Sequence, residues 1–257
     1  MSQIAAYLGA RISLNHFLIE PPLSLFQQAR TPQEHADISP DGFGIGWYYS
    51  SKPYRYVGTH PIWNDRNLPA LAQTMSAPLW TAAIQSTTSA TAVTNPSNAQ
   101  PFHDAELQFL HHGYIENFHR SFKPNCLQYL SPEIAADIEG NSDSEYLFAL
   151  LRQRLMDPDF VSLEVAIQDI LSTLEVSLRD INSSLNIIVS NGKKLIAARH
   201  ATNQNCDTLY FTNDDDQFPG AQLVATTPLT ESAKWHPVPE HHLLVLQPDF
   251  PPELTRL

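Results

Sequence analysis

Residues 142–181 carry an apolar repeat that two amphipathic helices satisfy, whereas the stretches on either side are written in short strand-length runs. Ser142 and Glu145 fit a capping box ahead of Leu147, Leu150, Leu151 and Leu155, which fall on one helical stripe. After Pro158, the residues Leu163, Ile167, Ile170, Leu171, Leu174, Leu178 and Ile181 keep a helical period over about five turns. Upstream, residues 3–8, 43–49, 54–57, 81–86 and 107–111 read as strands, with short helices at 23–30 and 67–75. Downstream, residues 185–189 and 194–198 flank Asn191-Gly192, a pair that tolerates positive φ and signals a hairpin. Further strands follow at 208–211, 223–225 and 243–246. The connections lack crossover helices, so the strands pair antiparallel more readily than parallel. The order β, then α, then β predicts an α+β protein, a four-layer αββα sandwich of two mainly antiparallel sheets. With no internal repeat and no low-complexity linker, residues 1–257 are expected to form a single domain, with the acidic run 214–216 as an exposed turn.

Composition narrows the partners. Fifteen Lys plus Arg against 27 Asp plus Glu leave a net charge of -12, which repels phosphate backbones and anionic membrane surfaces. Nucleic acid and membrane partners are therefore not expected. Cys126 and Cys206 form neither a metal-type spacing nor a disulfide framework, which points to a reducing cytoplasm. The histidines, including His241-His242 and the pair His103 and His119, show no ligand spacing either, so neither a metal nor a cofactor is expected. The apolar run 4–8 is too short for a signal peptide and lacks a basic leader, and no stretch of 18 apolar residues occurs.

Ser2 is the first candidate for chemistry. Once Met1 is removed, an N-terminal hydroxyl carries its own base, an α-amine of pKa about 7.7–8. Seven further segments place that serine in a pattern. Tyr7-Leu8-Gly9 is followed by the glycine-rich run Asp41-Gly42-Phe43-Gly44-Ile45-Gly46-Trp47-Tyr48, in which glycines two apart permit close approach of another backbone or a ligand. Then come Ala83-Ile84-Gln85-Ser86-Thr87-Thr88, Asn98-Ala99-Gln100-Pro101-Phe102, His111-His112-Gly113 and Ser142-Asp143-Ser144-Glu145. Ala225-Thr226-Thr227-Pro228-Leu229, Trp235 and Val238-Pro239 close the series. In this order and spacing the chain resembles the class II glutamine amidotransferases, which are N-terminal nucleophile hydrolases. It is most similar to the small stand-alone members that include the γ-glutamyl amidohydrolase of ergothioneine biosynthesis.

The resemblance assigns positions and exposes departures. It puts the nucleophile at position 2, where the family has cysteine and this chain has Ser2. It puts the arginine that grips the substrate α-carboxylate at Gln85, which cannot form a bidentate charge-assisted pair. It puts the oxyanion hole at His112 and Gly113, where the family has asparagine and glycine, and it retains Thr88 and the amine-binding Asp143. Losing one oxyanion donor costs about 2.7–4 kcal/mol of transition-state stabilisation. The joint change at 2, 85 and 112 predicts a pseudoenzyme that has lost glutaminase activity and whose pocket binds a small-molecule amide or γ-glutamyl-like ligand. The alternative is an active N-terminal-serine amidohydrolase. A third expectation is a noncatalytic subunit whose protein partner supplies the chemistry.

Overall fold

The computed structural model describes residues 2–30, 40–86, 95–157, 159 and 161–257. The first half of the chain runs β1 (Gln3–Ser13), α1 (Leu14–Leu18), α2 (Leu25–Arg30), β2 (Pro40–Tyr49), β3 (Lys52–Gly58), α3 (Leu68–Thr74) and β4 (Ser76–Ser86). Next come β5 (Phe102–His103), β6 (Gln108–Ile115), α4 (Phe118–Ser121), α5 (Lys123–Tyr129), α6 (Pro132–Ala136), α7 (Asp143–Leu155) and α8 (Leu163–Ser177). The chain closes with β7 (Ser183–Ser190), β8 (Leu195–Thr202), β9 (Tyr210–Thr212), β10 (Gln222–Ala225), β11 (His236–Pro237), β12 (His242–Leu246) and β13 (Glu253–Arg256).

Among the described residues the strands form two sheets, ordered β11-β9-β10-β1-β4-β2-β3 and β13-β12-β8-β7-β6-β5. Every strand pair is antiparallel. The central strands are apolar on both faces, and the two-residue side-chain period sorts them into separate layers. On β1, Ile4, Ala6 and Leu8 join Leu110, Ile188, Ala197 and Leu244 between the sheets. The intervening Ala5 and Tyr7 turn outward onto Leu14, Phe17, Leu25 and Leu68 of α1, α2 and α3. On the other sheet, Phe109, Ile187 and Val189 face outward onto Leu147, Leu151, Ile167 and Leu171 of α7 and α8. Three apolar layers between two sheets and two outer layers of helices define the αββα sandwich.

Several local expectations change. Ser142 caps α7, its Oγ accepting from the Glu145 N–H at 3.3 Å. The reciprocal half of the box is absent, because the Glu145 carboxylate instead accepts from the N–H groups of Glu139 and Gly140 at 2.8–3.0 Å. The second helix ends at Ser177 rather than running to 181. Leu178 is buried beyond its end and Ile181 packs on the same core from a turn, so the periodic pattern outlasts the helix. Beyond the expected elements lie α1, α4, α5 and α6, none longer than seven residues and so too short to show a helical period. Both cysteines are free and buried. Among the described residues, no helix is long and apolar enough to cross a membrane.

Candidate functional site

The site lies where the start of β1 meets the end of β4 and the middle of β6. Gln3 pairs with Ile84, which brings Ser2 beside Gln85 one step further along the two strands. Thr226, just past β10, locks this end of β1: its N–H donates to the Ile4 carbonyl at 3.0 Å and its Oγ1 accepts from the Ile4 N–H at 3.2 Å.

On β6, consecutive histidines point to opposite faces because the side chains alternate. His111 shares the helix side with Phe109. Its Nδ1 lies 2.9 Å from Ser144 Oγ and its Nε2 is 3.1 Å from the Ser184 carbonyl, so both ring nitrogens are engaged. His112 shares the inter-sheet side with Leu110, and the main chain of Ser2 faces its ring. Its Nε2 stands 3.6 Å from Asp207 Oδ2, the same oxygen that accepts from Ser184 Oγ at 2.6 Å. Burial holds the His112 imidazole below its ordinary pKa, against the opposing pull of Asp207 and with the help of neighbouring His111. The ring is therefore neutral at physiological pH. Gly113 follows at φ +147°, where a Cβ would stand 1.9 Å from the Ser184 carbonyl oxygen. Only glycine fits that backbone without strain.

Across the strand from His112 is Asn186. Its Nδ2 donates to the Thr208 carbonyl at 3.0 Å, while Asn186 Oδ1 and His112 Nδ1 are both buried and have no hydrogen-bond partner among the described residues. Buried polar atoms are almost always paired, so two orphans on facing residues are exceptions that set this pair apart from its surroundings. Neither Asn186 nor Asp207 was found from the sequence. Asn186 gains its meaning from strand register, and Asp207 sits in a loop without period.

Gln85 is buried and engaged. Its Nε2 donates to the Asn98 carbonyl at 3.1 Å and its Oε1 accepts from the Gln100 N–H at 2.9 Å. The same loop touches the glycine-rich strand: a Cβ on Gly44 would stand 1.7 Å from the Gln100 carbonyl oxygen. The close approach that Gly44 permits is thus to another stretch of backbone, whereas a Cβ on Gly46 would meet the side chains of Thr81 and Gln108. Gln100 in turn clamps the His111 main chain, accepting from its N–H at 2.6 Å and donating to its carbonyl at 2.9 Å. Asp143 lies at the start of α7, where Oδ2 accepts from the Ile115 N–H at 2.9 Å and Oδ1 from the Ser144 N–H at 2.8 Å. The structure therefore brings Ser2, Gln85, His112 and Gly113 to one end of the sheets and links Asp143 to β6. Thr88 lies outside the described residues. Trp47 stacks against Tyr54 at 6.1 Å, and Tyr48 donates to the Ser190 carbonyl at 2.7 Å, fastening β2 of one sheet to β7 of the other.

Two antiparallel sheets between helices, with an N-terminal strand bringing residue 2 to His112 at the strand ends, define an N-terminal nucleophile hydrolase type of fold. The family model for class-II glutamine amidotransferases matches residues 16–250, and the chain belongs to that family. The matched span begins after position 2. A γ-glutamyl-hercynylcysteine sulfoxide hydrolase of Mycolicibacterium smegmatis is 27% identical over 247 residues, covering 95% of each chain. A probable glutamine amidotransferase of Saccharomyces cerevisiae is 26% identical, covering 92% of this chain and 78% of its own. Among solved structures, a glutamine aminotransferase class-II domain protein from Silicibacter pomeroyi superposes with a TM-score of 0.71 at 20% identity, covering 99% of both chains.

Proposed function

We propose that this chain is a class II amidotransferase-type protein without glutaminase chemistry, whose site around His112 and Asn186 binds a small molecule bearing an amide or amine but no glutamyl α-carboxylate. The state of Gln85 carries this reading. At the position that the family resemblance assigns to the carboxylate-gripping arginine, both amide atoms of a neutral side chain are held by the Asn98–Gln100 backbone. The charge-assisted pair forgone is worth about 1.5–3 kcal/mol, a ten- to hundredfold or greater loss of affinity. The orphan atoms supply the complementary chemistry. With the ring proton on Nε2, which faces the Ser2 main chain and stands 3.6 Å from Asp207, His112 offers the Nδ1 lone pair and Asn186 offers Oδ1, two acceptors that suit a ligand with N–H donors.

Purified protein with a free Ser2 amine is expected to release neither ammonia from glutamine nor glutamate from γ-glutamyl amides above background. Enzyme-like release abolished by Ser2→Ala would sink the proposal.

One observation favours a second reading, an active serine amidohydrolase on an amide or γ-glutamyl-like bond such as the mycolicibacterial relative's name indicates. A neutral His112 beside Ser2, backed by Asp207, resembles the base and orienting carboxylate that activate a hydroxyl nucleophile. Intact-mass analysis of the N terminus separates two routes within it. Retained or acetylated Met1 removes the α-amine base and leaves only His112 to take the proton.

A further inference from the structure

Sequence spacing picks out no metal-ligating set, yet the fold gathers one from separate segments. Cys206 lies in the loop after β8, and Glu240 and His241 lie in the turn before β12. One ligand atom from each of these three residues falls within 4.8 Å of the others. Cys206 is buried, His241 half-buried and Glu240 exposed, so the group is anchored inside and opens to solvent at its carboxylate. Bond lengths of about 2.3 Å to thiolate and 2.0–2.2 Å to nitrogen or oxygen put the ligand atoms of a tetrahedral zinc roughly 3.3–3.8 Å apart. Closure on an ion therefore asks for movement of about an ångström, within the reach of the exposed Glu240 side chain.

A second observation comes from β8. His200 is buried, and its Nδ1 lies 3.1 Å from His241 Nδ1, with the rings edge to face at 5.0 Å. A metal-bound imidazole characteristically donates its other N–H to a neighbouring acceptor, which fixes its tautomer and orientation. His200 Nδ1 is placed to be that acceptor. Its own Nε2 is buried with no partner among the described residues. Arg199 clips the two loops together, donating to the carbonyls of Asp207 at 2.7 Å, Val238 at 2.7 Å and Cys206 at 3.2 Å, with Glu240 Oε1 at 3.5 Å.

We propose that Cys206 Sγ, a Glu240 carboxylate oxygen and His241 Nε2 form a site for a zinc-type divalent cation, with water as fourth ligand and His200 as a positioning residue. Binding releases the Cys206 thiol proton to solvent, and no other bond changes. The donor set of thiolate, imidazole and carboxylate suits zinc or cobalt and not calcium or magnesium. The next residue is Asp207, whose carboxylate faces His112, so an occupied site also steadies the loop that carries this carboxylate.

Cobalt(II) titration of the chelator-treated, folded protein tests the site. A single cobalt per chain should bind with thiolate-to-cobalt charge-transfer absorption and be displaced by zinc(II). Cys206→Ser should abolish that absorption, and His241→Ala should weaken zinc affinity about tenfold or more. His200→Phe should weaken affinity while keeping the absorption, and His103→Ala, on the distant β5, should change neither. Circular dichroism confirms that each variant is folded. A folded wild-type protein without the thiolate–cobalt band, or a band that survives Cys206→Ser, overturns the proposal.

Discussion

At the residue scale, His112 and Gly113 show how two adjacent strand positions set the local chemistry of β6. Burial lowers the His112 pKa from 6.5, so between that value and the lowered folded value the unfolded chain takes up a proton that the folded chain refuses. Stability should therefore be full above this window and fall as the pH drops through it. Urea unfolding across mildly acidic pH checks this, because His112→Gln should remove that part of the pH slope. Gly113→Ala should destabilise the protein by about 2–3 kcal/mol, since the new Cβ meets the Ser184 carbonyl oxygen in a backbone conformation that side chains rarely adopt. Chemical denaturation is the measurement, and wild-type stability would show that β6 relaxes around the methyl group. The sequence marked both positions through their neighbours in the family pattern. It gave no sign of Asp207 or Asn186, because only folding brings position 207 to His112 and only strand register sets residue 186 opposite it.

At the scale of the element, the short strand β5 leaves the middle of β6 without a full partner. Gln100 fills the gap, its side-chain amide pairing with the N–H and carbonyl of His111 as a neighbouring strand would. Gln100→Leu should strip both buried groups of their partner and cost on the order of 2 kcal/mol, read by thermal or urea unfolding. An unchanged midpoint would mean that water or another side chain takes over. The elements themselves were mostly legible. The strands in the cores and the helices α7 and α8 follow from period and capping, and the hairpin at Asn191-Gly192 turns through Gly192 at φ +81°. What the pattern hid were pieces too short to carry a period, such as α4 to α6, and the end of α8, where Leu178 goes on packing after the helix has stopped.

At the scale of the whole molecule, three apolar layers hold two sheets and two sets of helices in register, and Tyr48 adds a polar tie between the sheets. Cys126 is the buried residue of α5 and packs into the outer layer with α7, where burial pushes its thiol up to about 12. Labelling of Cys126 by a thiol-specific reagent at neutral pH should be slow and should follow opening of that layer, with the rate rising in step with urea-induced unfolding. Rapid labelling of the native protein would show that the layer opens locally. The sequence by itself determined the four-layer architecture and the family, because periodicity and the spacing of glycines and turns are local properties that survive at low identity. The family resemblance also led to the expectation of departures at positions 2, 85 and 112. Only the tertiary structure decided what those side chains do. Gln85 is bound to a loop 13–15 residues away, His112 is neutral through burial, and its carboxylate partner stands 95 positions down the chain. Hydrogen bonding and desolvation depend on distance in space, and distance along the chain does not encode it.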